Sequence, residues 1–139
     1  MTDNQPTLSF CVTCRDGQEA VHRDVRGGAR LAQAFLRRNK AVQHFGCQLR
    51  GVRCMSNCGR PCVVSLSSTG RFSYIFGDLE SADPTHTKAL NDLIPRYLAA
   101  PEGFLHRHER PQFLRENILG RLPPQESSSD LVTALKVKR

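Results

Sequence analysis

Six cysteines are the residues of this 139-residue chain best suited to chemistry, and their spacing is uneven. Cys11 and Cys14 form a C-x2-C pair in FCVTC, Cys54, Cys58 and Cys62 form C-x3-C-x3-C in CMSNCGRPC, and Cys47 stands apart. Thiolates are soft ligands. Groups at these spacings point to zinc or to an iron–sulfur cluster, and ligand type alone does not separate the two. A disulfide framework is the reading for secreted chains. The opening Met1-Thr2-Asp3-Asn4-Gln5-Pro6 lacks the basic start and apolar stretch of a secretory signal, so the expectation is a cytoplasmic protein with reduced thiols. There, four or five thiolates at one place need a soft cation to offset their repulsion.

Other constellations are weaker. His106 and His108 in LHRHER could ligate a metal, but the neighbouring arginines oppose a cation, and a solvated surface is the expectation. His22, His44 and His86 read as isolated. Ser127-Ser128-Ser129 reads as linker chemistry, and no Ser–His–Asp order, phosphate loop or carboxylate pair stands out. The chain is therefore not expected to be an enzyme. The net charge is +7, with 16 of the 20 basic residues being Arg. Such a surface suits an acidic protein partner. Nucleic-acid binding is not expected without a basic stripe carrying interleaved aromatics. No stretch approaches the roughly 18 apolar residues of a membrane span.

The thiols must be positioned by regular elements. Thr7 to Val12 reads as a strand ending at the first pair. Leu31, Ala34, Phe35, Val42 and Phe45 recur at helical spacing, predicting a helix over 29–45. Cys47 to Cys54 fits a second strand, and Met55 to Cys62 a turn. Val63 to Leu66 and Phe72 to Phe76 read as a hairpin about a Gly-containing turn, with Phe72, Tyr74 and Phe76 inward. Asp83-Pro84 is a helix start, followed by the apolar stripe Leu90, Leu93, Ile94, Tyr97 and Leu98, with Pro95 expected to kink or shorten it. Pro111 to Leu119 reads as a third helix closed by Gly120. Residues 6–122 then make one domain and 123–139 a polar basic tail.

Strand, helix, strand, hairpin, helix is the element order of a thioredoxin-like α/β fold with a mixed four-stranded sheet. A β-helix-β unit wants a parallel pair. Parallel neighbours would bring Cys11 and Cys14 to the same carboxyl edge as Cys54, Cys58 and Cys62, where ligands of open α/β sheets bind. Cys47 falls at the opposite edge. Backbone N–H groups around Gly17, Ser56, Asn57 and Gly59 would be free to face sulfur, and Arg15, Arg53 and Arg60 would favour a reduced, more negative centre.

FCVTCRDGQ, VRCMSNCGRPCVVSL and RFSYIFGDL, with the later ERPQFLRENILGRLPP, resemble a family of small bacterial proteins described as metal-binding, over about residues 10–124. That family is similar to the thioredoxin-like [2Fe-2S] ferredoxins and often occurs beside cobalamin-synthesis and metal-handling genes. The resemblance implies a [2Fe-2S] cluster, with Cys11 and Cys14 matching the ligands near the first strand and Cys54 and Cys58 those after the second. The ferredoxins space their first pair more widely and lack a counterpart of Cys62, which stands as a reserve or substitute metal ligand. The implied role is electron transfer or supply of metal or cluster to a partner. Two alternatives use the same thiols: a zinc-binding adaptor or metallochaperone, and a dithiol oxidoreductase. The dithiol reading is disfavoured by the chain length separating Cys14 from the first helix.

Overall fold

The computed structural model describes residues 5–39 and 46–137. Its elements, in order, are β1 (Thr7–Cys11), α1 (Gly27–Arg38), β2 (Gln48–Val52), β3 (Val64–Ser67), β4 (Ser73–Phe76), α2 (Pro84–Ala99), α3 (Phe113–Glu116) and β5 (Ile118–Leu122). The sheet order is β2-β1-β3-β4-β5. Strands β1 and β2 are parallel, with Thr7 opposite Gln48 and Cys11 opposite Val52. The remaining pairs are antiparallel.

Alternation decides which face is covered. Val64 and Leu66 in β3, and Tyr74 and Phe76 in β4, are fully buried, while their neighbours are half-buried. Phe10, Val64 and Phe76 share one row across the sheet, and Leu8, Leu66 and Tyr74 the next. Phe10 meets Phe35 of α1 with ring centres 5.6 Å apart, and Tyr74 meets Tyr97 of α2 edge-on at 6.0 Å. Both helices thus pack on the same face of the sheet, with Leu31, Leu90, Leu93 and Ile94 fully buried between them and it. The interior strand β1, between β2 and β3, is buried from Leu8 to Cys11.

Four sequence expectations change. The sheet has five strands rather than four, because Ile118–Leu122 pairs with the outer edge of β4. The expected helix over 111–119 is reduced to the single turn Phe113–Glu116. One isolated turn gains little from its own hydrogen bonds, whereas the edge of β4 offers a ready ladder. Helix α2 is not shortened by Pro95 and runs on to Ala99. Leu93, Ile94 and Tyr97 around the proline are fully buried, and that packing outweighs one missing N–H bond. Finally, α1 starts two residues early at Gly27 and closes at Asn39, whose N–H bonds Phe35 O at 2.9 Å. Val42 and Phe45, expected to extend it, lie outside the described residues.

Asp83 caps α2 as expected, its carboxylate accepting the Thr85 N–H at 2.9 Å. At the other end Arg71 donates to the carbonyls of Tyr97, Leu98 and Ala100 at 3.1–3.4 Å, a cation on a helix C-terminus. Beyond β5 the chain is mostly exposed, although Val132 packs on the core.

The first turn of α1 sits hard against β1. A side-chain carbon on Gly28 would fall 1.8 Å from the Cys11 carbonyl oxygen and 3.3 Å from Cys14 Cβ. Substituting Gly28→Ala is therefore expected to destabilise the fold by about 1–3 kcal/mol, as overpacking against backbone does. Gly120→Ala, with open space around it, should cost far less. Chemical denaturation of the two variants checks this, and equal losses would contradict the contact.

Candidate metal centre

Parallel pairing makes β1 and β2 leave the sheet on the same side. Val12 N–H bonds Val52 O at 2.9 Å, one residue beyond the ladder, so both turns begin together. Cys11 closes β1, and Cys14 turns back beneath it with its N–H on the Cys11 carbonyl at 3.3 Å. Both are buried, at 4% and 3% exposure, whereas Cys54 and Cys58 on the turn after β2 are exposed. Cys62 enters the core ahead of β3, fully buried, with its backbone paired to Leu79.

The thiols are electrostatically linked. Burial alone would raise Cys11, but hydrogen bonds from the Cys14 thiol, the Met55 N–H and Thr13 outweigh it and hold Cys11 below the ordinary thiol value. Cys14 is pushed up to about 11 by burial, by giving its proton toward Cys11, and by the nearby charges of Cys11 and Cys58; the Val63 N–H acts in the other direction. Burial, with Cys14, Asp16 and Cys11 close by, pushes Cys62 to about 12. Cys54 Sγ accepts the Ser56 N–H at 3.4 Å. The edge thus gathers the thiols of both turns, near enough that charge on Cys58 raises Cys14 and charge on Cys14 and Cys11 raises Cys62. Cys47 lies at the other end of β2, where burial raises it to about 11 and the Leu8 N–H faces its sulfur.

Cys11 and Cys14 are paired by a thiol hydrogen bond, but the sulfurs of the two turns are not drawn into one cluster. Among the described residues no three cysteine sulfurs lie within 4.8 Å of one another. Four thiolates around one zinc ion, at about 2.3 Å each, would stand roughly 3.8 Å apart. Backbone N–H groups from Met55, Ser56 and Val63 do aim at sulfur. Of the donors expected from sequence, Ser56 serves, but the Gly17 N–H goes to Glu19 Oε1 at 3.1 Å. Arg15 and Arg53 are exposed at this edge, while Arg60 is held by Asp78 and so contributes less charge than expected.

A clasp beneath the site was not legible from the sequence. The residues between Cys14 and α1 double back, so that Gly28 N–H bonds the Cys14 carbonyl at 3.0 Å. Chain separation therefore does not keep Cys14 from the helix N-terminus, and that objection to a dithiol site is withdrawn. The loop is closed by two carboxylates. Glu19 accepts N–H groups of Asp16 at 2.9 Å and Gly27 at 3.0 Å, and Arg30 pairs with both Asp16 and Glu19. Arg26 Nη1 donates to Thr13 O at 2.9 Å. The sequence signal is a pair of glycines opening a helix after an acidic loop carrying Asp16, Glu19 and Asp24, a helix N-terminus awaiting an anion.

One histidine also changes its reading. His86, expected to be isolated, is buried, stacks on Phe113 with ring centres 3.7 Å apart, and accepts the Glu80 N–H through Nδ1 at 3.0 Å. With Glu80 and Asp83 it forms the one group of three potential metal ligands within 4.8 Å among the described residues. Its partners make it part of the start of α2. His106 and His108 are exposed, as expected, and His44 lies outside the described residues.

Residues 8–124 match the family described as protein of unknown function (DUF1636). The chain belongs to that family. No curated protein matches it in sequence. Among solved structures, a thioredoxin-like [2Fe-2S] ferredoxin from Aquifex aeolicus is similar, with a TM-score of 0.51 at 15% identity over 88% of this chain and 98% of that one. A second structure of the wild-type ferredoxin from the same organism gives 0.48 at 15% identity over 84% and 98%. The first likeness shows a thioredoxin-like fold for this DUF1636 protein, as its element order implied. None of its described helices is long and apolar enough to cross a membrane.

Acid should loosen the clasp. Burial alone would raise Asp16, but Arg30 and the Gln18 N–H prevail, and Glu19 is lowered first by the Asp16 N–H. Both carboxylates sit below their ordinary range near pH 4, so their stabilisation is complete above about pH 5 and is lost as pH falls through the lowered values. Glu19→Gln should flatten the decline in denaturation midpoint between about pH 5 and 3 relative to wild type. Parallel declines would contradict the clasp.

Proposed function

We propose that this DUF1636 protein is a small cytoplasmic iron–sulfur protein that holds a [2Fe-2S] cluster and acts in one-electron transfer or in cluster or metal supply, as a carrier rather than an enzyme. The observation that carries this reading is the meeting of two cysteine-bearing turns, remote in sequence, at one edge of the parallel β1–β2 pair. The donor set fits the group: all-thiolate, drawn from two turns, and supplied with N–H donors of the kind that tune cluster potential. The likeness to a thioredoxin-like [2Fe-2S] ferredoxin supports the same reading.

In this reading Cys11 and Cys14 hold one side of the centre and Cys54 and Cys58 the other, with Cys62 in reserve beside Cys14. When bound, the cluster supplies one-electron chemistry. The residues do the rest. Met55, Ser56 and Val63 N–H groups favour the negative thiolates, the buried first pair limits water, and the exposed second pair leaves that side open to a partner. Arg15 and Arg53 at the rim, on a chain of net charge +7, suit an acidic partner surface.

A dithiol oxidoreductase is the second reading, favoured by the lowered Cys11 beside a raised Cys14 next to the first turn of α1. The low exposure of both thiols counts against attack on a protein disulfide.

Anaerobic purification with iron, zinc and acid-labile sulfide measured per chain separates the readings. The expected result is about two iron and two sulfide per chain with visible absorption. Cys11→Ser and Cys58→Ser should lose most of both, and Cys47→Ser neither. Loss in Cys14→Ser but not in Cys62→Ser fixes the fourth ligand as Cys14, and the reverse fixes it as Cys62. One zinc without sulfide supports the adaptor alternative, and a metal-free chain with a reducible Cys11–Cys14 bond supports the oxidoreductase.

A further inference from the structure

The segment from Phe104 to Arg121 takes no part in the thiol site. It carries Arg107, Arg110, Arg115 and Arg121 with His106 and His108, against two carboxylates. Both carboxylates are engaged. Glu109 Oε1 accepts the His106 N–H at 2.8 Å, and Glu116, 79% exposed, pairs with Arg107 at 2.9 Å.

Arg110 is the unusual member. It is 4% exposed, and its guanidinium donates to the carbonyls of Leu114 at 2.9 Å, Arg115 at 3.0 Å and Leu105 at 3.5 Å. No carboxylate pairs with it among the described residues. Carbonyls satisfy its N–H groups but leave its charge uncompensated, and buried charges are ordinarily paired. Burial lowers its pKa, and the positive charges of Arg121, Arg107 and Arg115 add to that against the opposing effect of Tyr74.

This excess of charge borders a cavity of about 300 Å³ lined by Phe104, His106, Arg107, Arg110, Ile118 and Arg121. The volume is at the small end of the ligand-site range. Arg121 is pre-positioned there. Its guanidinium carbon stands 3.9 Å over the Phe104 ring, and one N–H is fixed on Leu105 O at 3.1 Å. Phe104 is itself braced edge-on by Phe72 at 5.2 Å. A stacked guanidinium presents its other N–H groups in a rigid fork suited to an oxyanion.

We infer that this cavity binds a small anionic ligand through a phosphate or carboxylate group, which supplies the countercharge that Arg110, Arg115 and Arg121 lack among the described residues. Arg107 and Arg121 grip the oxyanion, Arg110 provides the field beneath it, and His106 closes one side. The site is independent of the cysteines and does not rest on the cluster reading.

Full-length protein titrated with inorganic phosphate at fixed ionic strength, followed by ³¹P NMR and thermal unfolding, tests this. Saturable binding with stabilisation is expected, absent with chloride. Exposed Arg107 and Arg121 are the residues to change, because Arg110 also ties three carbonyls together. Arg107→Gln and Arg121→Gln should each weaken phosphate roughly tenfold, as loss of a charge-assisted bond does, and Lys88→Gln should not. Citrate forms a second arm. Saturation by citrate in place of phosphate, with the same sensitivity to the two variants, also supports the site and names the carboxylate source. Equal effects of chloride, unchanged binding in both variants, or saturation only by a single-stranded oligonucleotide would overturn it.

Discussion

Parallel hydrogen bonding between β1 and β2 is the constraint on which the rest of this molecule depends. An antiparallel pair would send the two strands out at opposite edges, and the early and middle cysteines would never meet. The register with Cys11 opposite Val52 instead starts both turns side by side. A parallel pair requires a crossover, and α1 provides it, packed on the helix-bearing face through Phe35 against Phe10. The same crossover returns its first turn to the thiols. Gly28 is where the helix backbone meets that of β1, Gly27 leaves room for the Asp16 side chain, and the Asp16–Glu19–Arg30 clasp holds that meeting closed.

Burial then divides the thiols into two kinds. Cys11 and Cys14 are fixed at the end of the interior strand β1, where each one's protonation depends on the other. Cys54 and Cys58 ride on an exposed turn rich in residues that break regular structure. A rigid inner pair and an accessible outer pair suit a centre that must be held by the fold and also reached by a partner. The far side of the sheet carries a different chemistry. There, β5 and the arginine-rich segment around it gather positive charge with few carboxylates to answer it.

How much of this could be read from the chain depended on whether the signal was local. The first two strands, the hairpin and the start of α2 were legible, because TLSFC, VSLS, SYIF and Asp83-Pro84 carry their periodicity or capping within a few residues. The shared edge of the thiols was legible too, since it follows from topology. Strand β5 was not. Its pairing is decided by the free edge of β4, while Phe113, Leu114 and Ile118 lie at spacings that mimic a helix. The clasp was missed because charged residues in a Gly-containing loop look solvated until the helix N-terminus that they cap is in place. His86 reads as isolated in the chain for the same reason, and the burial of Arg110 carries no local signal: Phe113 and the carbonyls of 105, 114 and 115 are brought to them only by tertiary packing.

Differential alkylation read by mass spectrometry tests most directly whether one inorganic centre spans both turns. Loaded protein should protect Cys54 and Cys58, which are exposed in the polypeptide and should react fully once chelation strips the metal. In Cys11→Ser that protection should vanish at both outer thiols, although the substituted residue lies on the other turn. Outer thiols equally reactive before and after chelation, or protection that survives Cys11→Ser, would contradict a shared centre.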